Sequence, residues 1–193
     1  TYISEAITIA EDLGDDFSLA MCLSSLGTIY ILFADSEEAF EVLKRARNHA
    51  ESVDAPFEEA IILNNYANVC MDLAKPDEAL EVLLTAFAVL ENSGFSTEDP
   101  ILLSTLGRIY TETGEREKAI TTLRRALEAG DVSNFSIIHM ECFILLSRIF
   151  INDDPELSRE YADNALSIID AYEDKYQKID CYDLLAELEE RGG

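Results

Sequence analysis

An all-α solenoid of antiparallel helix hairpins is predicted by three observations. Leu26, Tyr66, Leu106, Leu146 and Leu185 are separated by 40, 40, 40 and 39 residues. Ala6, Ala46, Ala86, Ala126 and Ala165 repeat the same spacings, so both columns lose one residue at the same place, the short turn Asn152-Asp153-Asp154-Pro155. Within each period the apolar residues recur three and four apart, which is one face of a helix. Glycine, proline or an acidic pair then interrupts the run. Two columns that share one period and one deletion mark an internal repeat, and repeats of this kind bury a core by stacking.

The clearest unit is LSTLGRIYTETGEREKAITTLRRA, from Leu103 to Ala126. Leu103, Leu106, Gly107 and Tyr110 form the face of a first helix, and Gly114 breaks it. Glu115 and Glu117 favour the start of a second helix by opposing its N-terminal dipole. Ala119, Leu123 and Ala126 face back. Gly107, Ala119 and Ala126 are small because two antiparallel helices approach closely there.

In chain order, Thr1 to about Leu13 matches a second helix, since Ile3 and Ala6 align with Leu123 and Ala126. Gly14 ends it and Asp15 or Asp16 caps the next helix, which carries Leu23, Leu26, Gly27 and Tyr30. Ser36, Glu37 and Glu38 start its partner, with Ala39, Leu43 and Ala46. Asp54 and Pro56 stop that helix and open another, carrying Leu63, Tyr66, Ala67 and Cys70. Pro76 precedes Ala79, Leu83 and Ala86. The stretch Asn92 to Pro100 is the longest polar connection, and the period passes through it unchanged. Gly130 and Ser133 precede a fourth first helix with Phe143, Leu146, Ser147 and Phe150. Its partner holds Ser158 and Ala165, with Ala162 where the other repeats have leucine and Tyr161 filling space from one position away. A last helix, from about Asp174 to Arg191, has Tyr182, Leu185 and Ala186 in register, and Ile179 and Leu188 with them. The expected organisation is one repeat domain over 1–193: a lone helix at 1–14, repeats at about 15–54, 55–95, 96–133 and 134–173, and a lone helix at 174–193. Both ends fall inside repeats, so the sequence is expected to be a segment of a longer array, and the uncovered face of the last helix predicts that either the native chain continues past Gly193 or the segment self-associates there.

Leu-x-x-Leu-Gly-x-x-Tyr followed by Ala-x-x-x-Leu-x-x-Ala resembles the tetratricopeptide repeat, with leucine in place of that family's first tryptophan and of its later phenylalanine. The resemblance implies a right-handed superhelix whose first helices line a concave groove. The period of 40 exceeds the usual 34 of the family. Long repeats resemble those of bacterial signalling proteins such as peptide-pheromone receptors, transcriptional activators and some diguanylate cyclases, and of eukaryotic scaffolds.

The chain has 193 residues, 48% of them hydrophobic, and sets 14 Lys and Arg against 39 Asp and Glu for a formal charge of −25. That charge repels phosphate backbones and anionic lipid headgroups, which disfavours nucleic acid and membranes as partners. No apolar run approaches the ~20 residues of a membrane span, and the opening TYISEA lacks a signal peptide's pattern. A soluble, cytoplasmic protein is expected. Cys22, Cys70, Cys142 and Cys181 are far apart and read as packing thiols, and His49 and His139 have no metal-ligand or triad spacing. No phosphate-binding glycine loop exists, and Glu37-Glu38, Glu58-Glu59 and Asp77-Glu78 fall at helix starts, where carboxylates oppose the dipole. The reading is of a protein that is not an enzyme, without cofactor or metal.

The candidate site is the face of the first helices that packing leaves unused. Taken one, two and five residues after Leu23, Leu63, Leu103, Phe143 and Tyr182, its positions include Thr28, Asn64, Asn65, Asn68, Arg108 and Arg148, with Met71 and Ile151 one turn on. Arg108 and Arg148 are one period apart and are expected to bind a carboxylate by paired, charge-assisted hydrogen bonds. Asn65 and Asn68 suit a peptide backbone, because each amide donates and accepts. No lysine occupies these positions, which sets the chain apart from tetratricopeptide clamps for C-terminal carboxylates. Two alternatives stay open: the arginines neutralise acids of their own chain, such as Glu112 or Glu141, or the solenoid serves assembly without a peptide ligand.

Overall fold

The structure, a computed structural model, describes residues 2–132, 134–172 and 175–192. Thr1, Ser133, Asp174 and Gly193, used above as boundaries, and the side chains of Ile179 and Arg191 lie outside that description. The described residues form ten helices and no strand: α1 (Tyr2–Leu13), α2 (Asp16–Leu32), α3 (Ser36–Ala50), α4 (Pro56–Asp72), α5 (Pro76–Asn92), α6 (Pro100–Glu112), α7 (Arg116–Ala129), α8 (Ser136–Phe150), α9 (Pro155–Tyr172) and α10 (Lys175–Gly192). They gather into two compact units, 1–97 and 98–193, and the division falls in the polar connection after α5.

The helix starts obey local chemistry. Asp15 caps α2 by accepting from the Ser18 amide at 3.0 Å, Asp35 caps α3 by accepting from Glu38, and Asp99 accepts from Ile101 and Leu102 ahead of Pro100. Each carboxylate satisfies an amide that the helix itself leaves unpaired. Ser36 is therefore the first helical residue of α3 and Asp35 its cap. The ends of α2, α4 and α6 share one device. Gly114 turns with φ of +76°, and Ala34 and Ala74 take the equivalent position at +55° and +56°.

In the first unit α2 packs on α3 and α4 on α5, with α1 against α2 and both α3 and α2 against α4. Its core joins Ala10, Leu19, Leu23, Ala46, Ala50 and Ile62. In the second unit α6 pairs with α7 and α8 with α9; α8 also meets α6 and α7, and α10 packs on α9 and α8.

The small-residue column does what close approach requires. A Cβ on Gly27 would stand 2.5 Å from Leu43 Cγ, and one on Gly107 would stand 2.5 Å from Leu123 Cδ2. The fourth hairpin solves the same contact in reverse. Ala162 replaces the leucine and Ser147 replaces the glycine, both wholly buried. Ser147 Oγ donates to the Ser158 carbonyl at 2.7 Å, and Ser158 Oγ donates to the Ser147 carbonyl at 2.8 Å. Tyr161 fills the flank, its ring 6.1 Å from Phe143 and 6.0 Å from Phe150.

The register of α10 differs from expectation. Its buried side is Cys181, Leu184 and Leu188, with Leu185 packed beside Ile151, Leu184 and Leu188, whereas Tyr182 is 53% exposed and Ala186 is also exposed. The helix is turned so that Cys181, three residues before Leu184 and seven before Leu188, faces α8 and α9. His139, expected at or near the surface, is 5% exposed, beside Phe143, and no hydrogen bond reaches its Nε2. Its position on α8 corresponds to that of Leu19 on α2, a core position.

Candidate interaction faces

In each unit the neighbouring first helices leave one side uncovered. In the first unit that side belongs to α2 and α4. The position after each column leucine does not lie on it: Ser24 and Asn64 are 6% and 5% exposed, and in the second unit Ser104 and Ile144 are 5% and 8% exposed. First helices within a unit pack on one another, α2 on α4 and α6 on α8. Asn64 is therefore a packing residue whose Oδ1 receives no hydrogen bond. Asn65 and Asn68 are half-buried on the open side, Met71 is half-buried one turn on, and Thr28 is exposed. The Thr28 hydroxyl donates to the Ser24 carbonyl at 3.1 Å, so its polarity is spent on its own helix.

In the second unit Arg108 is half-buried and its charge reaches Glu141 of the neighbouring first helix. Glu141 keeps accessible surface as a residue, but loss of solvent around its carboxyl pushes its pKa up, and the Arg108 guanidinium pulls the other way. Arg108 thus has an acid of its own chain within electrostatic reach, the alternative that the sequence left open. Arg148 is exposed, and among the described residues it makes no ion pair. It borders a cleft of about 310 Å³ with Ile151, Asp183, Leu184 and Glu187, and a second of about 290 Å³ with Thr111, Arg116 and Asn152. Ile151 is 7% exposed and serves mainly as a floor, packed with Ala162 and Leu188.

Several arginines are structural. Arg116 donates to the Ile149 carbonyl at the end of α8, pairs with Asp153 at 2.6 Å and lies over the Phe150 ring at 5.3 Å. A cation there opposes the negative end of the helix dipole. Arg124 donates to the Tyr161 hydroxyl at 3.2 Å, and Arg125 pairs with Glu98. In the first unit Lys75 lies 3.9 Å above the Phe40 ring, which packs on Tyr66, and Tyr66 donates to Glu78 at 2.9 Å. Burial pushes the Tyr66 hydroxyl far up, and its bond to Glu78 adds to the effect, so it stays a neutral donor.

The open sides also carry apolar side chains at the amino-terminal halves of the first helices. Phe17, Phe57, Ile61 and Ile101 are 42%, 49%, 40% and 40% exposed. Phe57 and Phe95 have ring centroids 6.5 Å apart. The missed signal was periodic: Phe17 and Phe57 are one repeat apart, as are Met21, Ile61 and Ile101. Among the described residues no cluster of His, Cys, Asp or Glu is placed to hold a metal, and no helix is long and apolar enough to cross a membrane.

Comparison with known proteins gives the family context. Residues 58–130 match the tetratricopeptide repeat family. No curated protein matches the chain. Among solved structures, BtubC (BKLC) from P. vanneervenii is similar with a TM-score of 0.73 at 16% identity, covering 97% of this chain and 83% of that one. A putative kinesin light chain from Podosopora anserina with nearly identical TPR-like repeats is similar with a TM-score of 0.57 at 16% identity, covering 86% and 92%. At such identities the likeness is one of fold. Residues 58–130 match tetratricopeptide repeats, and the helices on either side of them belong to the same kind of TPR-like helical-repeat fold.

Proposed function

We propose that the chain is a protein-interaction module that holds a peptide or a partner helix against the open sides of its first helices. The repeat family supports an interaction or scaffold role in general. The observation that carries the finer reading is the open side itself, where apolar side chains and polar groups alternate on helices that pack closely everywhere else. In the first unit Asn65 and Asn68 supply amides for a peptide backbone. In the second unit Arg148 is the group we assign to a carboxylate of the partner, and Arg108, balanced by Glu141, supports the local potential without being its centre. We place the module in a larger signalling or adaptor protein of the cytoplasm.

The test is capture of a partner from extract with the folded chain, followed by titration of the purified pair. Arg148→Glu is expected to weaken that pair by at least ~10-fold, about 1.4 kcal/mol. Unchanged affinity for Arg148→Glu combined with Arg108→Glu, in a variant with the parent's helicity, overturns the carboxylate assignment.

A second reading is self-assembly through the outer helices. It is favoured by the exposure of Ile9 and Leu13 on α1, 58% and 74%, and of Tyr182 on α10. Light scattering over a concentration series separates the two: a concentration-dependent dimer abolished by Ile9→Ser with Leu13→Ser supports assembly, and a constant monomer dismisses it.

A further inference from the structure

The distribution of charge on the first unit is more selective than its total. Residues 1–97 contain four basic side chains, Lys44, Arg45, Arg47 and Lys75. The first two and Arg47 lie on α3, and Lys75 lies in the turn before α5. Neither α2 nor α4 carries a single lysine or arginine, whereas Asp16, Glu58, Glu59 and Asp72 stand on them. Three of the cations are also committed elsewhere, Lys75 to Glu78 at 3.9 Å. Arg45 pairs with Glu11 at 3.1 Å, and Arg47 pairs with Glu51 at 3.0 Å. The open side of α2 and α4 thus sets exposed apolar groups, Phe17, Phe57 and Ile61, near Glu58 and Asp72 at the two ends of α4 and near Asp16 at the start of α2, the last of which is engaged by His49 at 2.8 Å. Phe95 extends the apolar area beside Phe57.

Resting on the interaction reading above, we infer that this side of the first unit docks a cationic amphipathic segment of another protein, with aliphatic or aromatic residues on one side and Lys or Arg flanking them. Apolar side chains of the segment would cover Phe57, Ile61 and Phe17, which gives affinity without regard to charge. Its basic groups would then reach Asp72 at one end of α4 and Glu58 at the other, neither of which forms an ion pair among the described residues. Charge complementarity of this kind also speeds encounter and rejects acidic segments. A second copy of the chain is disfavoured as the occupant, because it brings another −25 to the same surface.

The experiment uses the full chain and two synthetic helices of about 18 residues, roughly five turns. Both repeat leucine at three- and four-residue spacing; one carries lysine at every other position and one carries glutamate. Titration by fluorescence anisotropy is expected to show binding of the leucine-lysine helix at least ~10-fold tighter than the leucine-glutamate helix. Phe57→Ser with Ile61→Ser, which leaves net charge unchanged, is expected to lower that affinity by a further ~10-fold. Asp72→Asn with Glu58→Gln is expected to lower it and to flatten its salt dependence. If Phe57→Ser with Ile61→Ser binds the lysine helix as the parent does, attraction to net charge alone explains binding and the docking face is wrong. If the glutamate helix binds equally well and loses affinity in that variant, the interaction reading stands and the cationic selection falls. If neither helix binds, the inference is overturned, and titration of the captured partner with Arg148→Glu then decides the broader reading separately.

Discussion

Ala34 and Ala74 stand in the left-handed region, where Gly114 stands in the next repeat. A Cβ costs roughly 1–2 kcal/mol in that conformation, and the extra freedom of glycine in the unfolded chain returns about 0.5–1 kcal/mol of it. Ala74→Gly is therefore expected to stabilise the protein by up to ~1 kcal/mol, and Gly114→Ala to destabilise it similarly; opposite shifts in melting temperature check the pair. The two alanines were hard to see in the sequence, because nothing about an alanine announces a left-handed turn. Gly114 announced its own. Cys70, Cys142 and Cys181 are buried as packing residues, whereas Cys22 keeps part of its surface. Burial pushes the Cys70 and Cys142 thiols up to about 12. Both are expected to resist alkylation at mild pH until the chain unfolds, as mass spectrometry of the native and denatured protein would show.

At the scale of the helix pair, Gly107 and Leu123 are one decision made jointly. Gly107→Leu is expected to cost roughly 1–3 kcal/mol by overpacking, and an unchanged denaturation midpoint would show that the contact gives way freely. The sequence revealed this pair because Gly27 and Leu43 repeat it two periods earlier. It revealed less of the fourth hairpin, where the steric match passes to Ser147 and Ala162 and is completed by hydrogen bonds that no spacing rule foretells. Titration is also set by helix pairs. The pKa of Glu59 on α4 is raised by burial, then by Glu51, and that of Glu141 on α8 is raised by burial against the pull of Arg108. A carboxyl whose folded pKa exceeds its unfolded value of 4.5 is bound to its proton more tightly in the folded state. Stability accordingly falls as pH rises from the ordinary glutamate range through the raised values. Denaturant titrations at neutral and mildly acidic pH are expected to show Glu59→Gln removing part of that slope.

At the scale of the whole chain, the period fixed which residues would be helical and which columns would be buried, because a core repeated five times leaves a statistical trace in the sequence. The open faces left a weaker trace. Asn64 and Asn65 are adjacent in sequence and differ in burial, a distinction that the leucine column alone cannot resolve. Position also failed to separate Arg148, exposed and without an ion pair among the described residues, from Arg108, whose acid arrives from another repeat. The formal charge of −25 makes its own prediction. Self-repulsion opposes the compact state, and salt screens it over about 8–10 Å at physiological strength. The melting temperature is expected to rise with sodium chloride from near zero to about 0.5 M, well beyond the physiological range; a flat response would mean that local pairs such as Arg45 with Glu11 and Arg116 with Asp153 already neutralise the charges that matter. The reciprocal fit of Gly107 to Leu123, and of Ser147 to Ala162, also has a genetic meaning. A crossover that joined α8 to α7 would set a serine against a leucine built to meet no side chain, while one that joined α6 to α9 would leave a hole where glycine faces alanine. Recombination that exchanges the fourth hairpin with the first or third can therefore move it whole but cannot cut it in half, and the heritable module there is the pair of helices with its turn.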